Sequence, residues 1–299
     1  MGNVIKRVSL QMLRNALILH ITVLAWLCSA EFTPDFRSFL SRKFGDDVAR
    51  QLERLDQGHL MMGSFGGRNN KNQLIHNRPV VFVHGTTSTA GFWLPHRRFF
   101  MDNGYSAAEL YATTYGDGGL TQGLFIKKMD CDDVQAVRNL IVAVSQYTNS
   151  KVDVLAYSMG VAITRKALLG GECADTKANL GAPITSAVET FLSVAGVAYG
   201  MQNCLPAWPA CNTLNGMICT SEFLRDVNAP SQKYEGANSY AIYSRDDPII
   251  GLQCCGHYCS ELKNANLTIV RSGLDHLGIV LATVDLQYNI LMHKRADGI

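Results

Sequence analysis

The sequence predicts an α/β fold with a mostly parallel β-sheet and helices on both of its faces. Val80–Val83 is an unbroken apolar run, as in strands that are buried on both sides. Residues 152–169 give a second apolar strand, a sharp turn and a helix-forming run that ends at Gly170-Gly171. Further strands alternate with helical patterns, which is typical of parallel sheets with helical crossovers. The 299 residues are sufficient for one large domain with a substantial core.

Residues 1–30 are expected to be a secretory signal peptide that is cleaved off. Three basic residues precede an apolar run over 16–27, and Cys-Ser-Ala at 28–30 places small residues where a signal peptidase reads the chain. An uncleaved anchor is the alternative, but this run is short for a bilayer. Cleavage reduces the 27 lysines and arginines to 24, against 25 acidic residues. The charge therefore does not indicate nucleic-acid binding, and we expect a secreted, extracellular protein.

The cysteines also indicate an exported protein. Eight of the nine follow residue 30, and an even number in an exported chain predicts disulfides. The disulfide candidates are Cys131, Cys173, Cys204, Cys211, Cys219, Cys254, Cys255 and Cys259. A zinc site at Cys254, Cys255, His257 and Cys259 is a weaker alternative, because the spacing lacks the separated ligand pairs of structural zinc sites. Asn266-Leu267-Thr268 is a sequon, so Asn266 is a candidate for N-glycosylation.

Two regions follow the signal peptide. Residues 31–75 are expected to form a helical lead packed on the main domain, with helices within 33–57, Thr33 or Asp35 as a cap, and a Gly/Asn-rich loop over 63–72. Residues 76–299 are expected to form the main domain. Its predicted strands are 80–83, 109–114, 152–155, 190–194, 240–243 and 267–270, and its predicted helices begin after Asp132 or Asp133, cover 161–169 and cover 277–291.

The turn at Ser158 resembles a nucleophile elbow, a tight strand-to-helix turn with the serine at its apex. Such a turn brings backbone segments close together and requires small residues two positions before and after the serine. Ala156 and Gly160 meet this requirement. A plain strand-to-helix connection is the alternative, because short motifs of this kind occur often by chance.

Other reactive side chains also follow predicted strands, where the sites of parallel sheets lie. Ser158, then Asp246 or Asp247, then His276 is the serine, acid, histidine order of the α/β-hydrolases. A histidine can take the serine proton, and a carboxylate orients the histidine. The N–H groups of Thr86 and Met159 are the candidate oxyanion donors. His84 precedes the serine and is interpreted as structural support for the oxyanion loop.

Four segments, 79–85, 156–160, 242–247 and 276–278, make the chain resemble the secreted class 2 lipases with Ala-x-Ser-x-Gly, particularly the cysteine-rich nematode-type members. The resemblance implies an α/β-hydrolase fold, Asp247 as the acid and hydrolysis of lipid esters such as acylglycerols through an acyl-enzyme, with no metal or organic cofactor. The implied partners are a lipid ester substrate and a transient contact with a lipid surface; no nucleic acid and no obligate protein partner are indicated. A transacylase and a non-catalytic lipid-binding homologue are the alternatives.

Residues 195–238 separate two strands and are longer than in the small bacterial lipases. Apolar residues and Cys204, Cys211 and Cys219 favour a small disulfide-rich cap beside Ser158, and an ordinary surface loop is the alternative. On the cap interpretation, these cysteines bond among themselves or to Cys254, Cys255 and Cys259. Cys131 and Cys173 then remain for each other.

Overall fold

The computed structural model describes residues 31–58 and 63–294, so the predicted signal peptide lies outside the described residues. Seven strands form one sheet in the order β1-β3-β2-β4-β5-β6-β9, and β7 and β8 form a separate hairpin. Neighbours in the large sheet are parallel except for β1 and β3, which confirms the predicted mostly parallel sheet. The strands are β1 (Ser64–Phe65), β2 (Val80–Val83), β3 (Leu110–Thr113), β4 (Val152–Tyr157), β5 (Val188–Val194), β6 (Asn238–Ser244), β7 (Gln253–Cys254), β8 (His257–Tyr258) and β9 (Leu267–Arg271).

Helices cover both faces of this sheet. One buried cluster, which includes Leu40, Leu140 and Ile163, joins one face to α1, α2, α4, α5 and α6. A second, which includes Phe100 and Ile279, joins the other face to α3, α7 and α8. The helices are α1 (Pro34–Phe44), α2 (Asp46–Glu53), α3 (Leu94–Asp102), α4 (Cys131–Thr148), α5 (Met159–Leu169), α6 (Glu222–Asn228), α7 (His276–Ala282) and α8 (Val284–His293).

Two predicted helix boundaries are wrong. Helix α4 is capped by Asp130, not by Asp132 or Asp133, because the Asp130 side chain accepts a hydrogen bond from the backbone of Asp133 and the Asp133 side chain accepts one from the backbone of Asp130. The single helix predicted over 277–291 is two helices, α7 and α8, with a break at Thr283. The hydroxyl of Thr283 donates to the carbonyl of Ile279 at 2.6 Å, a local bond that competes with the regular helical pattern.

The segment over 31–75 contributes directly to the sheet and to the core. Thr33 caps α1, and Phe36, Leu40 and Leu52 are fully buried. Strand β1 lies within the predicted Gly/Asn-rich loop and pairs antiparallel with β3. The prediction of an entirely irregular loop was wrong there, because two residues are too short for a periodic pattern to reveal a strand.

All eight cysteines of the described residues are paired. The disulfides are Cys131–Cys173, Cys204–Cys211, Cys219–Cys255 and Cys254–Cys259. These pairs agree with the partners expected on the cap interpretation. A zinc site would require the thiolates of Cys254, Cys255 and Cys259, which are all committed to these bonds. Within the described residues, no helix has the length and apolar character needed to cross a membrane.

Candidate active site

Ser158 occupies a sharp turn between β4 and α5. Its backbone has φ 57° and ψ −129°, a conformation that residues other than glycine rarely adopt. A side chain at Gly160 is excluded because a Cβ atom there would lie 2.2 Å from the carbonyl oxygen of His84. Ala156 is fully buried within β4. The small residues on either side of the serine therefore permit the close approach of β2 that the turn requires.

The side chains of Ser158, His276 and Asp247 form one hydrogen-bonded series. His276 Nε2 lies 3.0 Å from Ser158 Oγ, and His276 Nδ1 lies 2.7 Å from Asp247 Oδ2. A carboxylate accepts hydrogen bonds, so it holds the imidazole with a proton on Nδ1 and a lone pair on Nε2. The Nε2 lone pair is then available to the serine hydroxyl. The structure thus brings together the three residues that the sequence placed on separate loops.

The second oxygen of Asp247 is also engaged. Oδ1 accepts hydrogen bonds from the backbone N–H groups of Ile249 and Ile250, at 2.9 and 3.0 Å. The side chain is almost fully buried, whereas that of His276 is 15% exposed. Because the two carboxylate oxygens have different partners, the carboxyl group cannot rotate without losing hydrogen bonds.

The neighbouring carboxylates have other contacts. Asp246 is exposed, and its Oδ2 accepts from the backbone N–H of Gly273 at 2.6 Å. Asp275 caps α7, and its Oδ1 accepts from the N–H of Gly278 at 2.6 Å. Neither forms a hydrogen bond with His276 in the described structure. Asp246 instead joins the loop after β6 to the loop that leads into His276.

Tyr157 is a supporting residue that the sequence analysis missed. Its ring stacks on His276 with centroids 4.8 Å apart, and on Phe92 at 5.2 Å. Its hydroxyl donates to the carbonyl oxygen of His276 at 3.0 Å. Burial, with smaller effects from Asp247 and Asp275, raises the pKa of Tyr157, so the hydroxyl remains a donor. An aromatic residue directly before the elbow serine was the only signal in the sequence.

The loop after β2 lies against Ser158. A Cβ atom at Gly85 would be 2.8 Å from Ser158 Cβ, so only glycine fits there. Thr86 is the next residue in this loop. Met159 is the first residue of α5, and the first N–H groups of a helix have no acceptor within it. Met159 therefore adjoins the serine in the chain, and Thr86 follows the glycine that packs against it.

The buried side chain of His84 stabilises this loop through hydrogen bonds at both ring nitrogens. Its Nε2 accepts from the N–H of Tyr115 at 3.1 Å, so the proton lies on Nδ1, which donates to the carbonyl oxygen of Gly85 at 2.7 Å. Tyr115 stacks on the His84 ring and donates its hydroxyl to the His84 carbonyl oxygen at 2.9 Å. Burial lowers the pKa of His84 to about 4. The imidazole is therefore neutral at pH 7, which suits a structural role.

Residues 195–238 attach to both Ser158 and the helix that follows it. The N–H of Val197 donates to the carbonyl oxygen of Ser158 at 3.0 Å. The buried Arg165 of α5 pairs with Glu235 at 3.0 Å and also donates to the carbonyl oxygens of Ala198 and Val227. Because these groups satisfy the guanidinium inside the protein, both ends of the segment are anchored to α5.

The middle of this segment packs on the loop after β3. The ring centroids of Trp208 and Phe125 lie 4.4 Å apart, and the N–H of Ala210 donates to the Phe125 carbonyl oxygen at 3.1 Å. Cys219–Cys255 joins the segment to the hairpin that follows Asp247. The segment is thus connected to the loop after β3 and to the loop after β6, both at the carboxyl edge of the sheet.

Comparison with known proteins agrees with this architecture. Residues 77–289 match the family model described as lipase (class 2). The mature lipase BlEst2 of Bacillus licheniformis has a similar structure, with a TM-score of 0.54, 15% identity, and coverage of 77% of this chain and 98% of that one. Aspergillus fumigatus lipase B gives a TM-score of 0.51 at 17% identity, with coverage of 79% of this chain and 57% of that one. No curated protein sequence matches.

Proposed function

Because the chain belongs to the class 2 lipase family, we propose that it is a secreted serine hydrolase that cleaves carboxylic esters of lipids, with acylglycerols as substrates. The observation that carries this proposal is the hydrogen-bonded series from Asp247 through His276 to Ser158. It provides a nucleophile, a base and a carboxylate that orients the base, which are the groups that acyl transfer requires.

The first half of the reaction transfers the acyl group to Ser158. His276 Nε2 accepts the hydroxyl proton as Ser158 Oγ bonds to the ester carbonyl carbon. The carbonyl oxygen becomes an oxyanion and accepts hydrogen bonds from the N–H groups of Thr86 and Met159. When this intermediate collapses, the bond between the carbonyl carbon and the alcohol oxygen breaks, and Nε2 gives its proton to the departing alcohol.

The second half releases the acid. A water molecule gives a proton to His276 Nε2 while its oxygen bonds to the acyl carbon, and the same donors stabilise the second oxyanion. The bond from the acyl carbon to Ser158 Oγ then breaks, and Oγ takes the proton back from Nε2. In both halves the Asp247 carboxylate stabilises the imidazolium and does not itself become protonated.

Exposed apolar side chains support a lipid ester as the substrate. They lie on the loop after β3, in the segment over 195–238, and on α7 directly after His276, all of which follow carboxyl ends of strands. Apolar surface of this kind marks contact with apolar partners when it is grouped. The exposed apolar residues in these three regions are Leu120, Phe125, Ile126, Leu205, Leu214, Leu277 and Leu281.

The disulfides support the secreted location. Such bonds persist in oxidising compartments and are rare in the cytosol. The pairing of all eight cysteines after residue 30 agrees with export directed by residues 1–30.

The test is to express the full chain in a secreting eukaryotic host and assay the protein purified from the medium. It should hydrolyse p-nitrophenyl esters and emulsified triacylglycerol, and Ser158→Ala should not. Retention inside the cells would contradict secretion, and equal rates for the two proteins would contradict a serine hydrolase.

Product analysis separates this proposal from the alternatives. With an added alcohol as acceptor, a hydrolase releases mainly free fatty acid, whereas a transacylase forms mainly the new ester. A non-catalytic lipid-binding protein would bind the emulsion and release neither product.

A further inference from the structure

One hydroxyl in the loop against Ser158 has no partner. The Oγ1 atom of Thr86 is buried and forms no hydrogen bond with any residue that the structure describes. Buried hydroxyl groups are nearly always hydrogen-bonded, because burial without a partner costs free energy. An unpaired hydroxyl at this position therefore requires an explanation.

Several polar groups of this loop and of the residues after β3 are already engaged. Both ring nitrogens of His84 are bonded, and the hydroxyl of Tyr115 donates to the His84 carbonyl oxygen. Thr114 Oγ1 accepts from the N–H of Ala90 at 2.8 Å. None of these bonds involves the Thr86 hydroxyl.

Thr86 directly follows the residue that packs on the nucleophile. Its neighbour Gly85 touches Ser158, since a Cβ atom there would lie 3.3 Å from Ser158 Oγ. On the outer side, Gly119 packs closely on Thr87, with no room for a side chain. A hydrogen-bond donor on the residue after this glycine is close in the chain to the nucleophile, and a donor near the nucleophile can stabilise developing negative charge.

We infer that the Thr86 hydroxyl donates a hydrogen bond to the oxyanion, in addition to the N–H groups of Thr86 and Met159. This inference rests on the proposed ester hydrolysis. In the resting protein the hydroxyl has no hydrogen bond to break, so it can rotate toward the charged oxygen as the tetrahedral intermediate forms. The interaction belongs to the transition state and should affect kcat more than KM.

The test is the isosteric variant Thr86→Val, which removes the hydroxyl but keeps the shape. We expect kcat toward p-nitrophenyl butyrate to fall on the order of 10²- to 10³-fold, the usual effect of losing one oxyanion donor, with KM nearly unchanged. Thr86→Ser should remain within about tenfold of the wild type, because it keeps a donor at the same position. Thr87→Val, at the exposed neighbouring position, is the matched control and should keep full activity.

Thermal unfolding separates catalysis from structure. Thr86→Val removes an unpaired buried polar group, so its Tm should equal or exceed that of the wild type while its kcat falls. A lower Tm with the loss of activity would assign the hydroxyl a structural role and overturn the inference. Wild-type kcat in Thr86→Val, or an equal loss in Thr87→Val, would also overturn it and leave the proposed function intact. A wild type no more active than Ser158→Ala would instead refute the proposed function, and this inference with it.

Discussion

Replacement of Asp247 by asparagine should abolish most activity through the orientation of the new amide. In the native protein Oδ1 accepts from two backbone N–H groups and Oδ2 faces His276 Nδ1. The amide oxygen of asparagine should take the place of Oδ1, because an NH₂ group there would face two other donors. The NH₂ group then points at Nδ1, which must accept. The proton moves to Nε2, and the base can no longer accept the serine proton.

A wrong tautomer of this kind costs about 10⁴-fold in kcat, or about 5.4 kcal/mol of transition-state stabilisation. The matched control is Asp246→Asn, which keeps an oxygen to accept from the N–H of Gly273 and should lose less than about tenfold. Initial rates on p-nitrophenyl butyrate at pH 7.5, with Tm measured for each variant, test the difference. Equal losses in the two variants, or a larger loss in Asp246→Asn, would refute the assignment of Asp247.

Three further predictions concern the nucleophile, the segment over 195–238 and the buried His96. Ser158→Ala should lower kcat on the order of 10⁶-fold without lowering Tm and should abolish labelling by a fluorophosphonate probe; labelling that persists would place the nucleophile elsewhere. Trp208→Ala should lower kcat/KM for palmitate esters about tenfold more than for acetate esters, because it removes apolar surface beside Phe125. Leu74→Ala, which removes another exposed apolar side chain, is the control, and a uniform effect of Trp208→Ala would separate Trp208 from the acyl site. Burial lowers the pKa of His96 to about 4 from an ordinary 6.5. The neutral His96 therefore makes its full contribution to the free energy of unfolding above pH 6.5, and that contribution is lost as the pH falls toward 4. His96→Gln should therefore lose less stability than the wild type in urea unfolding between pH 7 and 4.5, and parallel losses would contradict this origin.

The sequence was sufficient to predict the parts of the fold that depend on residues close together in the chain. The strand at Val80–Val83 coincides with its prediction because all of its residues are buried and apolar. The small residues two positions before and after Ser158 located the turn. The close backbone contacts of such a turn leave no room for larger side chains at these two positions. In each case the physical requirement is met by residues that adjoin in the chain.

The features that the sequence did not predict depend on local geometry or on contacts between distant segments of the chain. Nothing in the composition around Thr283 indicates the break between α7 and α8, because the competing bonds depend on the local geometry. The choice of Asp247 over Asp246 rested on a family resemblance, since both carboxylates follow the same strand. The contact of Tyr157 with His276 joins residues 119 positions apart, so the aromatic residue before the serine could not indicate which side chain it supports.

The pairing of β1 with β3 limits how much of its amino-terminal segment this fold can lose. Trimming as far as residue 30 would leave Ser64 and Phe65 in place on β3. Trimming beyond Phe65 would uncover the backbone donors and acceptors of β3, and an uncovered strand edge is a template for aggregation. It would also remove Phe36, Leu40 and Leu52 from the core. A chain shortened past the first turn of α1 would therefore lose core side chains, and one shortened past Phe65 would also expose the edge of β3.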